Sequence, residues 1–141
     1  MKRYDVLILN AGKWTSRSKN AVGLMEYFRL NYLSPKEMAL KAGKGTHIIF
    51  ILSNAAYANY GNDDYTTAKA GLLLLARRLQ KEGRKVTCIC PGTVNTDFWK
   101  DAKEDNRKKC TPIEPWEIAE MVSLAIKLPS VATEWRIEPR K

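Results

Sequence analysis

A tyrosine and a lysine four residues apart are the side chains of this sequence best suited to proton transfer. Tyr65 and Lys69 stand in the stretch Tyr-Thr-Thr-Ala-Lys, and a spacing of four in a helix places both on one face, one turn apart. A free phenol titrates at about pH 10, too high for efficient acid–base work at neutral pH. A neighbouring ammonium group stabilises the phenolate and lowers that pKa. The pair predicts a proton-transferring tyrosine. The alternative is that both are ordinary surface residues on a solvent-exposed helix face.

Four apolar runs separated by helical patterns determine how this pair is positioned. Strands are predicted at 4–9, 46–52, 85–90 and 133–138, with the first buried on both faces. Helices are predicted at 21–41, from Asn62 or Asp63 to 82, and at 115–128. In the first helix, Ser34-Pro35 is expected to kink or break the middle, and one face is expected to carry Leu24, Phe28, Asn31 and Met38. The strand–helix alternation predicts a single α/β domain, 1–141, with a parallel sheet and right-handed crossovers.

Polar and turn-forming residues follow three of these strands. Asn10-Ala11-Gly12 follows the first strand, Ser53 the second and Pro91-Gly92-Thr93 the third. Each alone is compatible with simple turn chemistry. Because ligands of parallel α/β sheets bind beyond the carboxyl ends of the strands, the three together predict a binding site there.

Composition excludes several other classes of protein. The net charge of +9 could attract phosphate groups, but the basic residues are scattered and no nucleic-acid motif accompanies them, so nucleic-acid binding is not expected. No apolar run is long enough for a membrane span or a signal peptide, and a cytoplasmic protein is expected. No metal site is expected either, because the spacing of Cys88, Cys90, Cys110 and His47 fits no zinc motif.

Four stretches together resemble the short-chain dehydrogenase/reductase family, over nearly the whole chain. They are Asp-Val-Leu-Ile-Leu-Asn-Ala-Gly at 5–12, Ile-Leu-Ser-Asn-Ala at 51–55, Tyr-Thr-Thr-Ala-Lys-Ala at 65–70 and Pro-Gly-Thr-Val-Asn-Thr at 91–96. The resemblance implies an NAD(P)(H)-dependent oxidoreductase that interconverts a small-molecule carbonyl and an alcohol. It also implies a Rossmann-like, doubly wound parallel sheet.

The resemblance assigns a role to each matching residue. Tyr65 would be the general acid in carbonyl reduction and the base in alcohol oxidation, while Lys69 would lower its pKa and hold the nicotinamide ribose. Ser53 would hydrogen-bond the substrate oxygen, and Asn31 would hold a water in the proton relay, although it could also be an ordinary helix residue. The cofactor, NAD or NADP, would further contact Asn10, Ala11, Gly12, Pro91, Gly92, Val94 and Thr96.

The sequence also departs from the family pattern. Ser53 precedes Tyr65 by one residue fewer than is usual, and no Gly-x-x-x-Gly-x-Gly loop is present to cradle a pyrophosphate. We therefore expect a partial sheet of about four strands that lacks the first βα units, on the order of 70 residues. This chain alone should then bind NAD or NADP weakly.

Two interpretations of such a chain remain open. It is the catalytic half of the oxidoreductase, or a truncated non-catalytic module that acts through protein association. Either way the strand at 4–9 would be an open apolar edge, and a homo-oligomer, a dimer or tetramer, is expected. The charged segment 97–112 is expected to be a mobile loop on the substrate side. Cofactor preference, reaction direction and substrate identity are not determined by these residues.

Overall fold

The computed structural model describes residues 4–14, 20–100 and 102–141. Four parallel strands form one sheet in the order β1-β2-β3-β4, with β1 at Val6–Leu9, β2 at His47–Ile51, β3 at Val86–Pro91 and β4 at Glu134–Ile137. The α-helices are α1 (Ala21–Phe28), α2 (Ser34–Lys41), α3 (Asp63–Lys81) and α4 (Pro115–Lys127). This arrangement confirms the predicted Rossmann-like parallel sheet. The strands are one or two residues shorter than predicted at most of their ends.

Helices cover both faces of the sheet because successive strand residues point to opposite sides. On one side, Ile48 and Phe50 of β2 pack with Leu72 and Leu79 of α3 in the largest apolar cluster. On the other side, Ile49 and Ile89 pack against Ala125 of α4. A continuous apolar run such as His-Ile-Ile-Phe-Ile suits a central strand that is buried on both of its faces.

The helix α3 begins and ends on the residue types expected from its sequence. Asn62 is the N-cap, and its side chain accepts a hydrogen bond from the Tyr65 backbone N–H at 3.1 Å. Asp63 and Asp64 lie in the first turn, where a negative charge favours the helix dipole. Just past the last turn, Gly83 adopts a φ of +78°, which a side chain would disfavour. These features fix where the helix that carries Tyr65 begins and ends.

The predicted helix at 21–41 is correct in extent but not in detail. A π-helical segment, Arg29–Leu33, separates α1 from α2, and Pro35 lies harmlessly in the first turn of α2. The buried residues are Tyr27, Asn31, Pro35 and Ala39. The expectation that Met38 shares the buried face is wrong, since Met38 is 50% exposed. The wider π turn shifts the residues that follow it around the helix axis.

The strand β1 was expected to be buried on both faces, and this is wrong for Ile8, which is 47% exposed. In the described residues β1 pairs only with β2, and Ile8 lies on its less covered side.

At the opposite edge of the sheet, β4 is held to α3 by an ion pair between Arg77 Nε and Glu134 Oε1 at 2.6 Å. The Tyr57 hydroxyl donates to the same carboxylate at 2.8 Å.

The segment expected to be a mobile loop, 97–112, contains two short 3-10 turns, Asp97–Trp99 and Asn106–Lys109. An isolated parallel bridge between Val94 and Ile113 joins the two ends of this segment. Within the described ranges, no helix has both the length and the apolar character that crossing a bilayer requires.

Candidate active site

A cavity of about 590 Å³ opens where the carboxyl ends of β1, β2 and β3 meet. Nine of the eleven candidate catalytic and cofactor-binding residues line it: Asn10, Gly12, Ser53, Tyr65, Lys69, Pro91, Gly92, Val94 and Thr96. Ala11 and Asn31 are not among the lining residues. The three polar turns therefore meet around one space.

The serine and the tyrosine meet inside this cavity. Ser53 lies two residues beyond the carboxyl end of β2 and caps the 3-10 turn Asn54–Ala56, where its Oγ accepts from Ala55 N at 3.1 Å. The Ser53 hydroxyl is also close enough to the Tyr65 phenol to lower its pKa. Tyr65 is only 6% exposed. The spacing of twelve residues, one shorter than the family pattern, therefore still brings the two hydroxyl groups together.

Lys69 lies one turn of α3 beyond Tyr65 and is buried, with 4% of its surface exposed. Its Nζ lies 5.5 Å from the centre of the Tyr65 ring and donates to the carbonyl oxygen of Ile51 at 3.3 Å. Burial disfavours the charged ammonium and lowers the pKa of Lys69 to about 8. Even so, the amine remains mostly protonated at neutral pH.

The pKa of Tyr65 moves in the direction opposite to the one predicted from its neighbour. Burial raises the pKa of Tyr65 to about 12, and the hydrogen bond from Ser53 opposes this rise only in part. Aromatic rings surround the phenol and remove water from it, which disfavours the phenolate. Lys69 contacts the ring and a backbone carbonyl, so its charge does not outweigh this desolvation.

Asn31 fixes the loop that follows β1 instead of facing the cavity. It is fully buried in the π-helical segment, where its Nδ2 donates to Tyr27 O at 3.1 Å. Its Oδ1 accepts from the backbone N–H of Lys13 at 2.9 Å. A Cβ added to Gly12 would lie 3.3 Å from Asn31 Oδ1 and 3.5 Å from Lys69 Nζ. The bare backbone of Gly12 thus fits between Asn31 and Lys69.

The turn after β3 is packed against the end of the chain. Gly92 N donates to Ile137 O at 2.8 Å, and a Cβ on Gly92 would lie 2.7 Å from Pro139 Cδ and 2.8 Å from Glu138 Oε2. Asn54 Nδ2 donates to the same Glu138 oxygen at 3.1 Å. A glycine is therefore needed at this position, where the turn forms one wall of the cavity.

Four aromatic residues that line the cavity with Tyr65 were not anticipated from the sequence: Trp14, Tyr60, Phe98 and Trp99. Trp14 lies against Tyr65 with ring centres 5.0 Å apart, Phe98 lies 5.6 Å from Tyr65, and Trp99 lies 5.4 Å from Trp14. The signal in the sequence that could have identified three of them is their place along the chain. Trp14 is two residues after Gly12, and Phe98-Trp99 follow Thr96, so both aromatic groups come from turns that were already expected to form the site.

A parallel sheet with helices on both faces, and with a cavity at the carboxyl ends of its strands, defines a Rossmann-like α/β protein. The family model for short chain dehydrogenase matches residues 1–107. This chain belongs to the short-chain dehydrogenase family. No group of three His, Cys, Asp or Glu able to hold a metal ion is found in the part of the chain that the structure describes.

Among curated proteins, carbonyl reductase family member 4 of Xenopus laevis is 29% identical over 139 residues, which cover 90% of this chain and 57% of that protein. Among solved structures, BdcA in complex with NADPH has a TM-score of 0.79 at 22% identity, covering 96% of this chain and 65% of that one. The Thermococcus sibiricus alcohol dehydrogenase complexed with 5-hydroxy-NADP has a TM-score of 0.80 at 23% identity, covering 96% and 63%. This chain therefore spans 57 to 65% of the length of these three proteins.

Proposed function

We propose that this chain carries the catalytic residues of an NAD(P)(H)-dependent oxidoreductase that interconverts a carbonyl and an alcohol. The observation that carries the proposal is the convergence of Ser53, Tyr65 and Lys69 on one cavity at the carboxyl ends of the strands. Membership of the short-chain dehydrogenase family supports the reaction class. The name of the Xenopus laevis relative, a carbonyl reductase, supports the carbonyl group as the reacting centre.

In this proposal Tyr65 donates its phenolic proton to the carbonyl oxygen of the substrate. Its raised pKa, about 12, keeps the phenol protonated at neutral pH, which suits a general acid better than a general base. The Ser53 hydroxyl donates a hydrogen bond to the same substrate oxygen and stabilises the negative charge that develops on it. At neutral pH Tyr65 is therefore in the protonated form that reduction of a carbonyl requires.

Lys69 stabilises the phenolate that remains once Tyr65 has given up its proton. Its ammonium has three N–H donors, and among the described residues the Ile51 carbonyl oxygen is the acceptor that the structure assigns to it. Further donors can thus serve a bound ribose and the charge on the phenolate. Asn31 is a positioning residue, because its side chain holds the loop of Gly12 and Lys13 beside Lys69.

The residues present fit a nicotinamide cofactor, because two glycines, Gly12 and Gly92, line the cavity. Backbone alone faces the cavity at both points, which allows a ligand close approach. When bound, NAD or NADP supplies or accepts the hydride. Asn10, Ala11 and Gly12 would hold its adenosine side, and its nicotinamide side would be held by Lys69, Pro91, Gly92, Val94 and Thr96. NADPH and 5-hydroxy-NADP in the two structural relatives support this class of cofactor.

The test of this function is a turnover assay. NADPH or NADH is mixed with the protein and a neutral aldehyde or ketone, and the loss of absorbance of the reduced nicotinamide is followed. We expect oxidation of the cofactor that depends on both protein and carbonyl compound. No turnover with either cofactor, across aliphatic and aromatic carbonyl compounds, would instead support a non-catalytic module that acts through association.

We further propose that the chain forms a homo-oligomer. Large apolar side chains are exposed on two helices, including Val22 and Met25 of α1 and Leu74 of α3, which is 65% exposed. Exposed apolar groups on neighbouring elements favour self-association. Sedimentation equilibrium at micromolar concentration is expected to report a dimer or larger species, and a monomer at that concentration would contradict the proposal.

A further inference from the structure

We infer that Trp14, Phe98 and Trp99 select the substrate, and that the substrate is an uncharged aldehyde or ketone with an aromatic ring next to the carbonyl. The inference rests on the proposed function and adds a substrate class to it. These three side chains are called the aromatic wall below. All three line the same cavity as Ser53, Tyr65 and Lys69.

The aromatic wall lies directly beside the proton donor. Trp14 meets Tyr65 at a ring-centre distance of 5.0 Å with planes inclined by 61°, and Phe98 meets Tyr65 at 5.6 Å with planes inclined by 59°. Trp14 also lies 6.0 Å from Phe98. A carbonyl oxygen that accepts a proton from Tyr65 must therefore carry its substituent into a space bordered by these rings.

Hydrogen bonds hold the Phe98 and Trp99 part of the wall in place. Trp99 Nε1 donates to Val94 O at 3.1 Å, and Phe98 N donates to Thr96 Oγ1 at 3.3 Å. Arg107 reaches back across the segment and donates to Thr96 O at 3.2 Å. A wall fixed in this way discriminates between substituents, because its rings are not free to repack around any shape.

The chemistry of the wall favours a ring over an aliphatic group of the same size. Aromatic pairs prefer inclined or offset arrangements with centres about 4.5–7 Å apart, and they contribute beyond the apolar area that they bury. The rings of the aromatic wall already lie at such distances and angles from one another, with ring centres 5.4–6.0 Å apart. An aryl substituent can join this arrangement, whereas a saturated ring supplies apolar area alone.

The charge of the lining excludes an ionised substrate. Lys69 is the charged side chain among the described lining residues, and it is already placed beside Tyr65. The rest of the lining is neutral and includes Ile8, Ile118 and Val122. A carboxylate on the far side of the aryl ring would lose its water without gaining a partner of opposite charge, which is costly.

Binding of three probe ketones to the intact chain tests this inference without requiring turnover. The probes are acetophenone, cyclohexyl methyl ketone and para-acetylbenzoate, compared by ligand-observed NMR titration with and without NADP. We expect acetophenone to bind about three- to tenfold more tightly than cyclohexyl methyl ketone, the range that one or two aromatic contacts provide. We expect para-acetylbenzoate to bind at least about tenfold more weakly than acetophenone.

Substitutions in the aromatic wall test whether its residues produce the preference for acetophenone over cyclohexyl methyl ketone. Trp14→Leu and Trp99→Leu should each weaken acetophenone about fivefold and leave cyclohexyl methyl ketone within about twofold, whereas Trp99→Phe should retain the preference. Trp116→Leu is the matched control, because Trp116 is 65% exposed and does not line the cavity. Circular dichroism of each variant confirms that it is folded.

Equal binding of acetophenone and cyclohexyl methyl ketone would overturn the inference, as would unchanged acetophenone binding in both tryptophan variants. Tight binding of para-acetylbenzoate would overturn the exclusion of charge. If the proposed function were wrong, the result would be distinguishable: no carbonyl compound would be turned over, but the binding preference for acetophenone would remain. The preference without turnover would therefore support the ligand class and count against the reaction alone.

Discussion

Replacing Tyr65 with phenylalanine is expected to lower kcat/KM for carbonyl reduction by about a hundredfold or more, the scale of general acid catalysis. The substitution removes the phenolic oxygen that lies beside Ser53 in the cavity and keeps the ring that packs against Trp14 and Phe98. The loss should appear in turnover, measured as carbonyl-dependent oxidation of NADPH or NADH. Cofactor binding should change little, because in the proposal this hydroxyl serves the substrate oxygen.

The matched control for this experiment is Tyr4→Phe, which removes the same hydroxyl from an exposed residue outside the cavity. Its turnover should equal that of the parent protein. If Tyr65→Phe retained turnover within a factor of three of the parent, the proton would have to come from another group. The assignment of Tyr65 as general acid would then be wrong.

Replacing Lys69 with methionine is expected to abolish most of the activity and at the same time to stabilise the fold at neutral pH. Burial lowers the pKa of Lys69 from 10.5 to about 8, so the folded protein carries its ammonium at a cost. Methionine has a similar length and no charge. After a loss of about 1 kcal/mol for the hydrogen bond to Ile51 O, we expect a net gain on the order of 1–2 kcal/mol in the free energy of unfolding at pH 7.

The pH dependence of this difference identifies its cause. Below about pH 8 both the folded and the unfolded parent protein hold the Lys69 proton. Burial of the ammonium then lowers the unfolding free energy of the parent by its full amount. Between about pH 8 and about pH 10.5 the folded protein has released that proton and the unfolded chain has not. The unfolding free energy of the parent therefore rises relative to that of the variant by up to about 1.4 kcal/mol per pH unit. The advantage of Lys69→Met should shrink across this window.

Denaturant unfolding of both proteins from about pH 7 to about pH 10.5 measures this difference. Other buried groups also titrate there, since burial raises the pKa of Cys88 and of Cys90. The charge of Lys69 also acts on Cys90, so parent and variant are compared in a Cys90→Ala background. Only the difference between the two proteins is therefore interpreted. Lys44→Met, at an exposed loop position, is the control. A constant difference at all pH values would show that the charge of Lys69 costs nothing.

The parts of this site that the sequence predicted depend on local rules. The spacing of Tyr65 and Lys69 places both on one helix face wherever the helix forms. The rule that parallel strands present ligands at their carboxyl ends brought Asn10, Ser53 and Gly92 to one edge. Apolar strand runs separated by helices of ordinary length were sufficient to predict the sheet.

The parts that the sequence did not predict depend on distant contacts. The pKa of Tyr65 was predicted to fall because Lys69 is close in sequence, but it rises because Trp14 and Phe98 desolvate the phenol. These rings come from turns 51 and 33 positions away along the chain. No periodic pattern encodes such a meeting, so burial of the phenol required the structure.

The π-helical segment at Arg29–Leu33 determines which side chains of α2 are turned toward the inside of the protein. An α-helix has 3.6 residues per turn, so buried residues spaced strictly by four would drift by about 40° at each step. Tyr27, Asn31, Pro35 and Ala39 nevertheless stay on the inner side, because the wide turn unwinds the helix by part of a turn. The segment therefore behaves as a one-residue insertion that keeps these four side chains buried. Sequence comparisons that assume a regular helix across 21–41 will be shifted by one residue, about 100° around the helix axis, on one side of Asn31.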